Sequence, residues 1–148
     1  MAELSEKIRE MFRLEERDIT SYSALSLAYL GDAVFELVVR TVLVERYTTQ
    51  VKKYHDEATK LVSCKGQREI LKRIEPLLTE TEKSYFRRGR NSKPHSVSKS
   101  GTIADYTNAT GFESLCGHLY VTNQTERLIE LVKYGIEKQD GNSAEGGN

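Results

Sequence analysis

The chain has 148 residues, with 22 basic and 22 acidic side chains and 38% hydrophobic residues. That length suits one domain with a single core. No apolar run approaches the roughly 20 residues of a membrane span, and the zero net charge gives no overall electrostatic claim on nucleic acid. The opening Met1-Ala2-Glu3-Leu4-Ser5-Glu6 carries acids and no apolar signal-peptide core, so the expected location is cytoplasmic. Cys64 and Cys116 are solitary, without a Cys-x-x-Cys or a histidine cluster, and read as free buried thiols.

The apolar spacing is helical nearly throughout. In residues 1–20, Leu4, Ile8, Met11 and Phe12 share one face of a short helix, expected to pack on the domain or on a partner subunit. Ser21 or Ser23 caps a helix running to about Glu45. From about Val51 to Cys64 a helix turns Tyr54, Ala58, Leu61 and Val62 inward. The chain then bends near Lys65-Gly66-Gln67, and Ile70, Leu71 and Ile74 carry a helical pattern to Pro76. Thr79 and Glu82 have capping-box spacing and open a helix ending near Arg88-Gly89. Residues 90–101 are small, polar and broken by proline and glycine, the composition of a loop. A helix follows from Ala104 to about Thr122, and Asn123 or Thr125 caps a last one through Ile136. Residues 139–148 are polar and glycine-rich, with disorder expected. The expected fold is all-α, with residues 21–138 forming the main domain.

Two of these helices carry an acid where packing alone would not place one. In Leu25–Arg40 the pair Gly31-Asp32 interrupts an apolar run. The glycine costs the helix about 1 kcal/mol relative to alanine, and a buried carboxylate is costly without a partner. In Phe112–Tyr120 the acid is Glu113. If the two helices cross near Gly31 and Gly117, both carboxylates face one cleft, where a hard divalent cation such as Mg²⁺ or Mn²⁺ would suit them. Such an ion activates water and stabilises a phosphoryl transition state. The competing reading is a salt bridge from Asp32 to Arg40 or Arg90. Glu36, one turn after Asp32, fits the ion less well than a salt bridge or a place in an interface.

Leu27-Ala28-Tyr29-Leu30-Gly31-Asp32-Ala33 resembles the signature helix of the ribonuclease III family, and Phe112-Glu113-Ser114-Leu115-Cys116-Gly117 resembles its second motif. Arg88-Gly89-Arg90-Asn91, with no double-stranded-RNA-binding domain following, resembles the Mini-III branch. The resemblance implies a homodimer that cuts double-stranded RNA with Mg²⁺ (Mn²⁺ substituting), leaving 5′-phosphate and 3′-hydroxyl ends. It implies Asp32 and Glu113 as catalytic metal-binding carboxylates, and a role in maturing the 23S ribosomal RNA precursor, with a ribosomal protein as a further partner. Longer relatives have two more acids, where this chain has Ala28 and Thr110. That departure keeps open a non-catalytic RNA-binding or ribosome-assembly protein with the same fold.

Between Lys83 and Ala104 there are six basic side chains and no acid, which leaves the remainder of the chain about six charges negative. The RNA-contact residues expected from this segment are Arg88, Arg90, Asn91, Lys93 and Lys99, joined by Lys65 and Gln67 beyond the second core helix. A-form RNA is read by shape, phosphate and 2′-hydroxyl, so modest sequence selectivity is expected. His55, His95 and His118 have no acid–base partner at readable spacing and are given no catalytic role.

Overall fold

The computed structural model describes residues 3–92 and 102–146, with side chains described through Glu137. Among them the regular structure is helical: α1 (Leu4–Met11), α2 (Ala24–Arg46), α3 (Val51–Val62), α4 (Cys64–Ile74), α5 (Glu80–Arg90), α6 (Ile103–Val121) and α7 (Thr125–Gly146). Two 3-10 turns, Ile19–Ser21 and Glu75–Leu77, complete it. The all-α expectation holds. No helix is long and apolar enough to cross a membrane among the described residues.

The helix starts follow from side-chain oxygens that accept otherwise unpaired amides. Ser23 Oγ accepts from Ser26 N at 3.0 Å, and Thr102 Oγ1 accepts from Asp105 N at 3.0 Å. Thr79 and Glu82 form the reciprocal capping box that their spacing predicts. The bend between α3 and α4 falls earlier than the Lys65–Gln67 expected. Ser63 is extended, ends α3, and caps α4 by accepting from Gly66 N at 3.1 Å. A serine that can cap the following helix breaks the chain more readily than a glycine two residues into it. α7 carries its backbone to Gly146, into the segment where the glycine-rich composition suggested disorder.

The centre of the molecule is the pairing of α2 with α6. A Cβ on Gly31 would stand 1.7 Å from the Glu113 carbonyl oxygen, and one on Gly117 would stand 2.0 Å from the Leu27 carbonyl oxygen. The two backbones therefore touch, and only glycine fits at the crossing. Around it, Phe35 and Phe112 meet edge to face with centroids 4.9 Å apart. Val39, Ile70, Ile74, Leu115, Leu119, Leu128 and Val132 close the core. Each large side chain buried here contributes about 1.5–3 kcal/mol.

α5 lies along the other side of α6 and is tied to α7 by an ion pair, Arg127 Nε to Glu82 Oε2 at 2.9 Å. Burial pushes the Glu82 carboxyl up, but its bonds from Arg127 and Thr79 outweigh this and hold it below the ordinary value. α1 packs on the domain by its polar face. It docks through polar groups, with Ser5 Oγ donating to Asn123 Oδ1 at 2.6 Å and Arg9 Nη2 to the Val121 carbonyl at 2.8 Å. Those anchors turn Leu4, Ile8, Met11 and Phe12 to the outside.

Candidate active site

The α2–α6 crossing sets Asp32 and Glu113 side by side. They share a cleft of about 660 Å³, whose other walls are the α3–α4 junction and the first half of α6. The Glu113 carboxyl shares this cleft with the Asp32 carboxyl and the Gln67 amide, and both act on its proton affinity. Burial, then the neighbouring Asp32, push it up to about 9. The metal-free Glu113 carboxyl therefore holds its proton far more tightly than an ordinary carboxyl does.

The alternative salt bridge is absent. Arg40 pairs with Glu36, one turn away, at 3.5 Å, and Arg90 lies over the Phe86 ring. Glu36 is therefore engaged on the helix surface. No basic side chain pairs with Asp32 or Glu113 among the described residues, so the pair fits a hard cation with oxygen ligands. Those residues contain no cluster of three or more His, Cys, Asp or Glu groups able to hold a metal. The chain offers two carboxylates, and water or phosphate has to complete a shell. The two departures from the longer relatives are inert here: Ala28 is buried, and Thr110 Oγ1 donates back to the Tyr106 carbonyl at 3.0 Å.

The basic residues divide into two sets. Lys65 is exposed on the cleft wall. Gln67, expected at an exposed helix end, is only 3% exposed, and its Nε2 donates to the Val62 carbonyl at 2.9 Å. The early break at Ser63 rotates α4 so that Gln67 faces inward toward Glu113, and it is withdrawn from the RNA path. Arg88, Arg90 and Asn91 are exposed at the end of α5 and do not line the cleft. They stand level with it, because the neighbouring Gly89 packs on Thr110, Gly111 and Ser114 of α6. Arg88 Nη2 donates to the Tyr22 carbonyl at 3.3 Å, bracing the chain before α2. Lys93 and Lys99 lie outside the described residues.

Sequence reasoning missed the ion pair at the rim, where Arg68 Nη1 donates to Asp105 Oδ1 at 3.0 Å. The signal was available: Asp105, Ala109 and Glu113 are spaced by four and share one face of α6. Cys64 lines the same cleft, whereas Cys116 is buried in the core. His118 is buried against Tyr85, with ring centroids 3.7 Å apart.

A helical domain whose two central helices cross on glycine and present paired acids to a cleft agrees with the first comparison. The family model for the ribonuclease III domain matches residues 25–124. The chain belongs to the ribonuclease III family, is an endoribonuclease, and falls in its Mini-ribonuclease 3 branch. The Mini-ribonuclease 3 of Enterococcus faecalis is 41% identical over 124 residues, 82% of this chain and 94% of that one. That of Symbiobacterium thermophilum is 46% identical over 109 residues, 74% of this chain and 84% of that one. A crystal structure of a Fusobacterium nucleatum protein matches with TM-score 0.74 and 29% identity, covering 84% of this chain and 99% of that one. Enzymes of this family generally depend on a divalent metal, and their substrate is RNA.

Proposed function

We propose that this protein hydrolyses phosphodiester bonds of double-stranded RNA with Mg²⁺, or Mn²⁺ in its place, held by Asp32 and Glu113. The observation that carries the reading is the contact between these two carboxylates in an open cleft, without a basic partner among the described residues. The cation supplies Lewis-acid activation of water and charge stabilisation at phosphorus. Asp32 and Glu113 bind and orient it, and burial of Glu113 lowers the local dielectric. The products are 5′-phosphate and 3′-hydroxyl ends. The substrate is the 23S ribosomal RNA precursor, processed in the cytoplasm, with a ribosomal protein as an accessory partner.

The catalytic unit is residues 21–138, with 1–20 an appended helix and 139–148 a tail. It acts as a homodimer. On α2, Leu25, Tyr29 and Leu37 recur along one face, with Tyr29 86% and Leu37 54% exposed. An apolar stripe of this kind suits burial against a second copy. Lys65 in the cleft and Arg88, Arg90, Asn91, Lys93 and Lys99 beyond it contact the RNA backbone.

The test is incubation of duplex RNA with the purified protein in Mg²⁺ and in EDTA. Cuts in Mg²⁺ alone, lost in Asp32→Asn, are expected; RNA retained in a gel shift but never cut would refute the catalytic assignment. Replacing Arg88 and Arg90 together by glutamine is expected to weaken duplex binding. The slope of log K against log salt should fall by about 2, one per lost phosphate contact. An unchanged slope removes these arginines from the RNA path.

A further inference from the structure

Gln67 is the polar side chain of the cleft that burial, hydrogen bonding and position all single out. It is 3% exposed, on the buried face of α4 with Ile70, Leu71 and Ile74. Leucine or methionine would fill the same space, and glutamine fills it badly, because Oε1 is buried without a partner. Its orientation is fixed nevertheless. The Val62 carbonyl can only accept, so Nε2 faces it, at 2.9 Å, and the same amide stands on the wall of the cleft that Glu113 lines. A side chain that strands one buried oxygen in order to aim its nitrogen was not selected by packing alone.

Glu113 has few other restraints. Thr110, one turn earlier, turns its hydroxyl to the Tyr106 carbonyl, and Asp105, two turns earlier, is held by Arg68. We propose that Gln67 is the positioning residue of this active site: anchored on Val62, it donates to the Glu113 carboxylate and fixes it toward Asp32 for the divalent cation. This rests on the metal-dependent reading above and deepens it. The anchor is the carbonyl that ends α3, so the α3–α4 elbow is itself part of what holds the acid.

The test is Mn²⁺ binding to the full-length protein, followed by the electron paramagnetic resonance signal of free Mn²⁺, with thermal unfolding in parallel. Outer-sphere partners of metal ligands are typically worth 10–100-fold in affinity, so Gln67→Met is expected to raise the Mn²⁺ Kd by about that factor. KM for duplex RNA should stay near wild type, and activity should recover substantially at saturating Mn²⁺. Gln67→Asn, one methylene short of Glu113 but still polar, is expected to show the same loss and serves if the methionine variant fails to fold. A lower Tm with an unchanged Mn²⁺ Kd in the folded variant would make Gln67 a cap for α3 only and overturn the proposal. Failure of the underlying reading looks different: wild type and Glu113→Gln would then bind Mn²⁺ equally poorly.

Discussion

Gly31→Ala is expected to destabilise the protein by about 4 kcal/mol, beyond the usual 1–3 kcal/mol of overpacking, because backbone and not a side chain must yield. For a chain of this size that is a fall in Tm of roughly 10–15 °C, read by circular dichroism. The sign is the informative part. Alanine is the better helix former by about 1 kcal/mol, so propensity alone predicts a gain. The loss arises because the new methyl would stand 1.7 Å from the Glu113 carbonyl oxygen and 2.6 Å from the Gly117 nitrogen. The two helices must part, and the acids part with them, so cleavage should fall even in the fraction that stays folded. A Tm equal to or above wild type would show that α2 and α6 do not meet at this point.

Glu113→Gln is expected to lower the cleavage rate by at least about 10³-fold, equivalent to roughly 4 kcal/mol of transition-state stabilisation. The fold should survive, and the reason is electrostatic. In the metal-free protein Glu113 is already neutral at pH 7, pushed up to about 9 by burial and by Asp32. An amide keeps that shape and that charge, and its N–H can donate to Asp32 as the acid does. The pH dependence offers a second check. A carboxyl whose folded value lies above its unfolded value binds more protons when folded, so its contribution to stability declines as pH rises. In EDTA the wild type should therefore lose stability between about pH 4.5 and 9, and Glu113→Gln should flatten that decline. Loss of folding in the variant at neutral pH would make the carboxylate structural.

The main architecture was readable because its residues are improbable for any other purpose. Glycine beside aspartate in an apolar helix, and glutamate among large apolar residues four positions before another glycine, point to a crossing with a site on it. The Thr79–Glu82 capping box was equally legible, since it depends on four residues alone. What failed to be legible depends on rotation. Gln67 in an isolated helix looks like a surface residue, and only the angle set at Ser63 turns it inward. The outward face of α1 was hidden for the same reason: the Val121 carbonyl and the Asn123 side chain, at the corner between α6 and α7, decide which side docks, and neither is near α1 in sequence. The partner choice of Asp32 could not be read either, because Arg40 and Arg90 were both in range by type and only geometry gives Arg40 to Glu36.

Because peptide lies directly against peptide where α2 meets α6, the spacing of the two backbones that carry the acids is set by main-chain dimensions. It does not depend on which hydrocarbon side chains fill the surrounding interior. Repacking Phe35, Leu115 or Val132 with groups of similar volume can change how firmly the molecule holds together while leaving the helix crossing beneath the acids at the same spacing. Catalytic geometry and thermal robustness are thus adjustable independently in this chain, with the two glycines as the fixed reference between them.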